Sequence, residues 1–516
     1  MSDYAVAIKR LPIKFDSDDK RVITRFFGAG GDQRVKHVVE RVAGLSDREV
    51  SDLLADTMRR FDHRHRDLQG SFLRHFDQVR HNIDNPDGLT ADRRLLLGAF
   101  FTMEYAIEAA ALFNPSMVEH PDQTGAPAGG VRFIMSLRAT GEGHVSSIVF
   151  RSGTVTADGE VSFDEPSRYS GRLRIQQDKA YDKHLFFLKL IEMAAYSDAC
   201  RVVLDALPER FTLPDLERTL DQIAGRNHRP DAFDETANNM RWLARSNYTL
   251  DVPPGAPASE IVIFPTSENE SRGIEDLRLT RFVGDDGAVK YYGTYTAYNG
   301  FVALPQILET ENFHHVEIHT LNGKYVQNKG MALFPRKIDG DYVVAGRIDG
   351  ENNFLLRSDN VHFWNNAVKL QGPVYPWEFV QIGNCGAPIE TSEGWLLLTH
   401  GVGPMRRYCI GVSLLDLDDP SQVIAHAPAP ILAPNREERD GYVPNVVYSC
   451  GAIKHGDLIV MPYAMSDSAS SVCTFSCSEL LAYLKKHARP TKATAVKASE
   501  LPKKPKVKRG DGKPVA

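Results

Sequence analysis

The chain has 516 residues and a formal net charge of −6, with 42% hydrophobic and 25% charged residues. This length predicts two or more structural units with a full hydrophobic core, and the charge argues against a specific nucleic-acid partner or a membrane surface. No window reaches the roughly 18 apolar residues of a membrane-spanning helix. The first residues, MSDYAVAIKRLPIKF, lack a signal-peptide core, so we expect a cytoplasmic protein.

The two ends of the chain differ in residue pattern from its middle. Residues 1–110 are predicted to form an N-terminal helical region after a short strand-like start. Ser46 followed by Glu49 is a capping-box pattern, and a second helix is predicted over ADRRLLLGAFFTMEYAIEAAALF. Residues 486–516 are rich in Lys and Pro with hardly any apolar side chains, which predicts a disordered basic tail.

An internal repeat occupies the middle of the chain from Pro115 onward. Each copy has an apolar strand with a polar residue near its end, then a turn and a further strand; the copies are RFIMSLRATG, KYYGTYTAYNG, DYVVAGRIDG, WLLLTHGVG and DLIVMPYAMSD. The last four start about 50 to 60 residues apart, a spacing typical of a four-stranded propeller blade. Residues 111–485 are therefore predicted to form a mainly β, five-bladed β-propeller. A helical insertion at about 175–248 is predicted between the first and second blades.

The polar residues of the repeats define a candidate site. If each repeated strand is the first of its blade, it lines the central channel, and its polar residue points to a shared axis. These residues are Arg138, Tyr295, Arg347, His400 and Tyr463. We therefore expect a polar funnel.

A second candidate feature is the acidic pair in SRGIEDLRLTRF. Glu275 and Asp276 lie between Arg272 and Arg278 at the start of a predicted strand. A carboxylate flanked by cations suits a general acid or base whose pKa is set by its neighbours. From this stretch alone, a surface salt-bridge cluster beside a turn is the alternative.

Other chemistries have no motif to support them. The six cysteines are scattered without a paired CxxC spacing, so we expect buried free thiols and no metal site. There is no GxxxxGK[ST] loop, no GxGxxG after a strand and no nucleophile elbow. We expect no cofactor.

The motifs resemble those of glycoside hydrolase family 130, the inverting β-mannoside phosphorylases and related β-mannosidases built on five-bladed propellers. The resemblance covers most of residues 112–480 and leaves out both helical regions and the tail. GIEDLR is similar to the family signature G-x-E-D-P-R, with Leu277 in place of Pro. The resemblance implies that Asp276 is the proton donor and acts through a sugar hydroxyl.

The resemblance also implies which residues bind the sugar. FNPSM, with Asn114, is similar to the first-blade Asn-Pro element, which with Arg138 would hold the mannosyl unit. Asp467 is similar to the acidic residue that follows the last inner strand of the family. The expected substrate-binding residues are Asn114, Arg138, Glu275, Tyr295 and Asp467.

Inorganic phosphate is the expected co-substrate. NKGMALFPRKIDGDYVVAGR is similar to the segment that carries two phosphate-binding cations, which fall on Lys329 and Arg347. A phosphate nucleophile needs several cations, ideally guanidinium groups that bind it through two hydrogen bonds. The expected phosphate-binding residues are Lys329, Arg347, His400, Arg406 and Arg407.

Glu390 departs from the family pattern. It stands in CGAPIETSEGW, where the family ordinarily reads PIKT with a third phosphate-binding lysine. A carboxylate in a phosphate pocket would repel the dianion unless a cation paired with it, and Arg406 or Arg407 is the expected partner. In a hydrolase, Glu390 would instead act as general base on a water.

The expected function is an inverting phosphorylase. It would convert a β-mannoside, with β-1,2-linked manno-oligosaccharides favoured, and phosphate into α-mannose 1-phosphate. The alternatives are a β-mannosidase that uses Glu390 as base and a non-catalytic carbohydrate-binding propeller. The helical regions are expected to cap the funnel and select acceptor length, or to build a homo-oligomer.

Overall fold

The structure is a computed structural model, and it describes residues 6–176, 180–193, 195–225, 231–300, 303–487, 489–492 and 494–495. The helices are α1 Asp32–Ala43, α2 Asp47–Phe61, α3 Leu68–Val79, α4 Ala91–Phe100, α5 Lys183–Glu192, α6 Asp198–Ala206, α7 Leu213–Ala224, α8 Phe233–Arg245 and α9 Cys477–His487. Within the described residues, no helix combines the length and apolar content needed to cross a membrane.

Strands make up most of the remaining regular structure. In chain order they are β1 Lys9–Phe15, β2 Asp18–Phe26, β3 Thr102–Glu108, β4 Ala111–Glu119, β5 Val131–Thr140, β6 Ser146–Val155, β7 Val161–Phe163, β8 Gly171–Arg172, β9 Arg174–Gln176, β10 Tyr181–Asp182, β11 Arg210–Phe211, β12 Tyr248–Asp251, β13 Ile261–Ile263, β14 Gly273–Val283, β15 Val289–Tyr298, β16 Ala303–Thr310, β17 His315–Thr320, β18 Ala332–Leu333, β19 Tyr342–Gly346, β20 Asn353–Ser358, β21 Asn366–Gln371, β22 Gln381–Asn384, β23 Ile389–Thr391, β24 Gly394–Val402, β25 Tyr408–Leu415, β26 Gln422–His426, β27 Val447–Tyr448, β28 Ile453–His455, β29 Leu458–Met465, β30 Ala469–Ser476, β31 Arg489–Lys492 and β32 Thr494–Ala495.

Most of these strands belong to five antiparallel meanders, in which strands that follow one another in the chain pair side by side. They are β4–β7, β14–β17, β18–β21, β22–β26 and β27–β30, called here the first to fifth meanders. Two short strands pair with β24 in the fourth meander and two with β29 in the fifth. A parallel bridge between Gly273 and Ser146 joins the first two meanders into one sheet.

The repeated strands of the sequence are the second strand of each meander, not the first. They are β5, β15, β19, β24 and β29. The preceding strands β4 and β14 lie at the start of their meanders and contact each other, and the Ser116 hydroxyl accepts a hydrogen bond from the Leu279 amide. The interpretation of the repeated strands as first strands was wrong because the second strands are buried on both faces and have the longest apolar runs.

The chain termini also differ from expectation. Strand β1 pairs with β30 of the fifth meander, and β2 pairs with β3, so residues 1–110 are not helical throughout. Helix α4 ends at Phe100 instead of continuing to Phe113, because TMEYAIE forms β3 and buries Tyr105 and Ile107 on one face. Arg489–Lys492 pairs with β26, and Thr494–Ala495 pairs with β21, where a disordered tail was predicted. Residues 496–516 lie outside the described part of the chain.

The predictions of the capping box and of buried free cysteines are confirmed. Ser46 and Glu49 form a complete capping box at the start of α2. Helices α5–α8 enclose a hydrophobic core of their own that includes Leu190, Leu216 and Met240. All six cysteines are free and buried.

Candidate active site

The acidic pair lies where strand β14 departs from regular pairing. Glu275 pairs with Thr296 and Arg278 with Thr294, so β14 has one more residue than β15 between these two pairs. Asp276 occupies this bulge with a positive φ of 56°. In a regular strand adjacent side chains point to opposite faces, whereas here the bulge turns Glu275 and Asp276 towards the same partner.

That partner is Arg138 on β5. Its Nη2 donates to Glu275 Oε1 at 2.9 Å, and its Nη1 lies 3.3 Å from Asp276 Oδ1. The guanidinium also stacks over the ring of Phe113, with its carbon 5.0 Å from the ring centroid. Arg138 is therefore held in one orientation between an aromatic face and two carboxylates.

Asn114 and Lys329 complete the surroundings of the pair. Asn114 Nδ2 donates to Asp276 Oδ1 at 2.6 Å, and Lys329 Nζ donates to Glu275 Oε2 at 2.7 Å. The structure thus brings together four of the predicted site residues and Asp276. The salt bridges are at the meeting point of three meanders rather than on an outer surface.

The electrostatics of the cluster keep Asp276 ionised. Burial raises the pKa of this carboxyl, but the charges of three neighbouring cations and the Asn114 amide outweigh burial and lower the pKa to about 2. The cations are Arg138, Lys329 and Arg278. At neutral pH, Asp276 in this state of the protein is a carboxylate.

The pKa of Asp467 is shifted in the opposite direction to that of Asp276. Burial and the nearby charge of Asp276 raise its pKa to about 6, while Arg138 and Arg406 act against this increase. The residue follows β29 with a positive φ of 51°. The site therefore contains two aspartates whose environments drive their pKa values apart, a pattern typical of acid–base sites.

Arg278 lies buried beneath the cluster and connects it to neighbouring strands by hydrogen bonds. It was not among the predicted site residues. Its Nη1 donates to the Asp276 carbonyl oxygen at 3.0 Å, its Nη2 to Tyr448 Oη at 2.6 Å and its Nε to Asn384 Oδ1 at 3.2 Å. All three partners are buried, as is Arg278. The sequence signal was its place in the acidic stretch, whereas no pattern identified Asn384 or Tyr448.

His400 positions Arg347. It is fully buried, and its Nδ1 lies 3.1 Å from the Asn384 carbonyl oxygen, while Arg347 Nη1 lies 3.3 Å from its Nε2. Burial and the charges of Arg347 and Arg278 hold the pKa of His400 well below its usual value. A neutral imidazole with its proton on Nδ1 satisfies both contacts, so His400 presents no positive charge to a ligand.

A glycine permits this arrangement. A Cβ atom at Gly383 would lie 2.3 Å from His400 Cε1 and 2.5 Å from Arg347 Cδ. Gly330, next to Lys329, also faces Arg278 and Arg347. A Cβ atom at this position would lie 3.6 Å from Arg278 Nη2. Lys329, Arg278 and Arg347 therefore form one cationic strip beside the acidic pair.

The two arginines after β24 behave differently. Both are exposed, in a turn where Arg406 has a positive φ of 53°. Arg406 stacks over Tyr408, and its charge acts on Asp467, which places it at the rim of the cluster. For Arg407, the described residues show no side-chain contact with the cluster.

Two predicted site residues lie elsewhere. Tyr295 is buried and donates to Glu270 Oε1 at 2.8 Å within the core of the second meander, so it is not part of a polar funnel. Glu390 is half-exposed and paired with Arg336, at 2.8 Å between Oε1 and Nη2, and not with Arg406 or Arg407. It pairs with Trp395, five positions before His400 on β24. At about 3.3 Å per residue, this separates Glu390 from His400 by roughly 16 Å.

Comparisons with known proteins agree on one family. Residues 256–486 match the model of glycoside hydrolase family 130, described as beta-1,4-mannooligosaccharide phosphorylase. The chain is 32% identical over 259 residues to the "Beta-1,2-mannobiose phosphorylase" of Listeria innocua, covering 48% of this chain and 69% of the relative. It is 33% identical over 218 residues to the "1,2-beta-oligomannan phosphorylase" of Thermoanaerobacter sp. (strain X514), covering 42% and 72%.

A solved structure is also similar. The beta-1,2-mannobiose phosphorylase of Listeria innocua in complex with beta-1,2-mannobiose aligns with a TM-score of 0.43 and 23% identity, over 74% of this chain and 94% of that chain. The sequence identities and the coverage of the two curated relatives establish the family relationship. The chain belongs to glycoside hydrolase family 130.

Proposed function

We propose that this protein is an inverting β-mannoside phosphorylase that cleaves β-1,2-linked manno-oligosaccharides with inorganic phosphate and releases α-mannose 1-phosphate. The observation that carries the proposal is the contact between the carboxylate pair and the cationic strip, with Lys329 Nζ 2.7 Å from Glu275 Oε2. A phosphorylase needs an acid on the leaving-group side and cations that hold the nucleophile. The names of the relatives supply the substrate class.

In the proposed reaction, a phosphate oxygen forms a bond to the anomeric carbon while the glycosidic C–O bond breaks on the opposite face. The leaving oxygen takes a proton from a sugar hydroxyl, which takes one from Asp276. Because Asp276 is ionised before ligands bind, it must gain a proton in the complex, which the bound hydrogen phosphate would supply. Phosphate bound by Lys329 and Arg347 would neutralise the charge of Lys329, which lowers the pKa of Asp276 in the free protein. Phosphate binding would thereby raise the pKa of the acid that the reaction uses.

Arg138, Asn114 and Asp467 are the proposed contacts to the mannosyl unit. Arg138 and Asn114 both touch Asp276, and the charge of Asp276 raises the pKa of Asp467. A sugar that contacts these groups would have a hydroxyl next to the Asp276 carboxylate. His400 takes the role of a positioning residue for Arg347 instead of a phosphate ligand.

Phosphorolysis is favoured over hydrolysis by the position of Glu390. The candidate base of a hydrolase is paired with Arg336, about 16 Å along the meander from His400. A general base must lie within hydrogen-bonding distance of the water that attacks the substrate carbon. Glu390 does not meet this requirement.

We further infer that the five meanders are the blades of a five-bladed propeller, with α5–α8 as an insertion between the first two blades. In support, each meander contacts the next, and β4 of the first meander contacts β29 of the fifth. Strand β1 adds an outer strand to the fifth meander. Such a ring would place the ends of β5, β14 and β29 around one funnel.

The test is a paired incubation of the purified protein with β-1,2- and β-1,4-mannobiose, each with and without inorganic phosphate. The expected product is mannose 1-phosphate, formed only with phosphate and faster from the β-1,2 substrate. Free mannose without phosphate would make the protein a hydrolase. An Asp276→Asn variant should bind mannobiose and form no product; wild-type protein that binds mannobiose without converting it would indicate a carbohydrate-binding propeller.

A further inference from the structure

A group of metal-ligand side chains lies on the outer side of the second meander, away from the acidic pair. Glu309 is on β16, His319 is on β17 and His362 precedes β21. Glu309 pairs with Glu317 across the two strands, which makes Glu309 and His319 diagonal neighbours on one face. One ligand atom from each of Glu309, His319 and His362 lies within 4.8 Å of the others.

The contacts orient these three side chains towards a common point. Glu309 Oε1 forms a short contact with His362 Nε2 and lies 3.7 Å from His319 Nε2. The two imidazole rings face each other with centroids 4.6 Å apart. Lys290 binds the other carboxylate oxygen, Oε2, and so leaves Oε1 directed at the histidines. Ligand nitrogens and oxygens around a tetrahedral zinc ion lie about 3.3 Å apart, so small side-chain rotations suffice.

A cavity opens beside the two histidines. It has a volume of about 70 Å³ and lies between α5 and the end of β17, with His319, His362 and Asn322 among its lining residues. This volume holds several water molecules by the usual measure of about 10–15 Å³ each. A metal ion bound by the three side chains would therefore have room for a water ligand.

Asn322 provides an independent sign of a ligand in this cavity. Its side chain is 95% buried, with an exposed fraction of 5%. Its Nδ2 donates to the carbonyl oxygens of Thr320 and His362, which fixes the orientation of the amide. Its Oδ1 has no hydrogen-bond partner among the described residues. A buried acceptor of this kind needs a donor, and a metal-bound water is a strong one.

We propose that Glu309, His319 and His362 bind one divalent zinc ion, with a water ligand in the cavity that donates to Asn322 Oδ1. Two histidines and one carboxylate with an open fourth position form a recurrent zinc ligand set. Lys290 and Asn322 would act as outer-shell partners that orient the carboxylate and the water. A hydrogen-bonded network without metal is the alternative, in which Glu309 contacts His362 and Glu317 contacts His319.

The position of the site indicates its role. The cavity is lined by Leu185, Phe186 and Lys189 of α5, and Lys189 Nζ donates to the Leu321 carbonyl oxygen at 2.6 Å. A zinc ion here would fix the ends of β16 and β17 and the chain before β21 at the place where α5 packs against them. It would stabilise the docking of the helices on the second meander without touching the acidic pair.

The experiment uses the full-length protein, freed of metal with a chelator and titrated with zinc against a chromophoric zinc indicator. We expect one zinc ion per chain and a higher melting temperature in the presence of zinc. Loss of an outer-shell partner lowers metal affinity by roughly 10- to 100-fold. Loss of a ligand should cost at least as much, so we expect His319→Ala and His362→Ala each to lower the affinity for zinc by at least this factor. His315→Ala is the matched control, since His315 is exposed on the same strand and pairs with Asp251; its zinc affinity should be unchanged.

A second measurement does not depend on the variants folding. Cobalt added to the metal-free wild-type protein should give the visible absorption of a four-coordinate ion, and zinc should abolish it. Failure of the wild-type protein to bind zinc in the titration would overturn the proposal. Zinc binding that survives in both histidine variants as in His315→Ala would also overturn it. The readouts are independent of mannoside cleavage.

Discussion

Asn114 Nδ2 and Asp276 Oδ1 are joined by a 2.6 Å hydrogen bond, and both residues have left-handed backbone conformations, with φ of 50° and 56°. Each stands at a bulge: β4 has one more residue than β5 between Phe113 and Ser116, just as β14 has one more than β15. Two neighbouring strands therefore depart from regular pairing at the same level. This matched distortion brings an amide and a carboxylate from different meanders into contact.

The first prediction separates the Asn114 side chain from its backbone. Asn114→Gly and Asn114→Ala both remove the side-chain amide that binds Asp276 and that is proposed to contact the mannosyl unit. The kcat/KM for phosphorolysis of β-1,2-mannobiose should therefore fall by about 10- to 100-fold in each. Only the Ala variant adds strain at positive φ, of about 1 kcal/mol. Chemical denaturation should therefore find Asn114→Ala less stable than Asn114→Gly. Equal kcat/KM to the wild type would exclude Asn114 from the site.

The second prediction concerns stability and pH at Asp467. Its pKa is raised to about 6, so the folded protein binds this proton more tightly than the unfolded chain does. Stability contributed by this group is present at low pH and is lost as pH rises from about 4 to 6. Asp467→Asn should therefore be more stable than the wild type at pH 7, by about 2–3 kcal/mol, and close to it at pH 4.

Denaturant titrations of both proteins at pH 4 and pH 7 measure this difference. The pKa of Asp276 is lowered to about 2, so its effect on stability has the opposite dependence on pH. Both proteins contain Asp276, and its contribution cancels in the difference between them. A difference in the free energy of unfolding between Asp467→Asn and the wild type that is the same at both pH values would show that the pKa of Asp467 is not raised.

The third prediction tests whether Glu390 takes part in the reaction. Glu390→Gln weakens a half-exposed ion pair with Arg336, so it should change the free energy of unfolding by less than about 1 kcal/mol. The kcat/KM for mannobiose and the KM for phosphate should stay within about twofold of the wild type. In the same assay, Lys329→Met should raise the KM for phosphate at least about tenfold, because it removes a charge from the phosphate site. A large loss of activity in Glu390→Gln would return the hydrolase mechanism to consideration.

The fourth prediction concerns Gly383. A methyl group here would overlap His400 Cε1 and Arg347 Cδ, at 2.3 Å and 2.5 Å. Gly383→Ala should displace Arg347, raise the KM for phosphate at least tenfold and cost about 1–3 kcal/mol in stability. Gly44→Ala is a matched control, since the atoms nearest to its new Cβ lie 3.6 Å away. Steady-state kinetics with varied phosphate would decide, and an unchanged KM in Gly383→Ala would exclude this packing.

The second strands of the meanders could be predicted from the sequence because they are long and apolar. The strand that begins at the acidic pair could be predicted from the apolar residues that follow the pair. Strand β4 with Asn114 could be recognised only by motif, since its bulge interrupts the alternation that marks a strand. Tyr295 was assigned to the funnel because the repeated strands were interpreted as the first strands of their blades, whereas Tyr295 donates to buried Glu270. Tyr463, at the matching place in the fifth meander, donates to Glu438 in the same way.

The remaining site residues were predictable in part. Arg138, Lys329 and Arg347 follow from motifs. Arg138 and Lys329 both bind Glu275, and Arg347 lies beside Gly330, the residue after Lys329. Their roles in binding stay a prediction. Asn384 and Tyr448 could not be found, because a buried Asn or Tyr that binds an arginine leaves no periodic signature. The oligomeric state stays a prediction.

Strand β1 connects the first residues of the chain to the last meander through its pairing with β30, and Arg10 Nε binds Glu438 Oε1 at 2.7 Å. Removal of residues up to Phe15, by proteolysis or by truncation, would expose the backbone donors and acceptors of β30 along a free sheet edge. A free edge of this kind recruits strands from other molecules. Self-association and precipitation are thus the expected fate of a protein that has lost residues 1–15, even though its acidic pair would be intact.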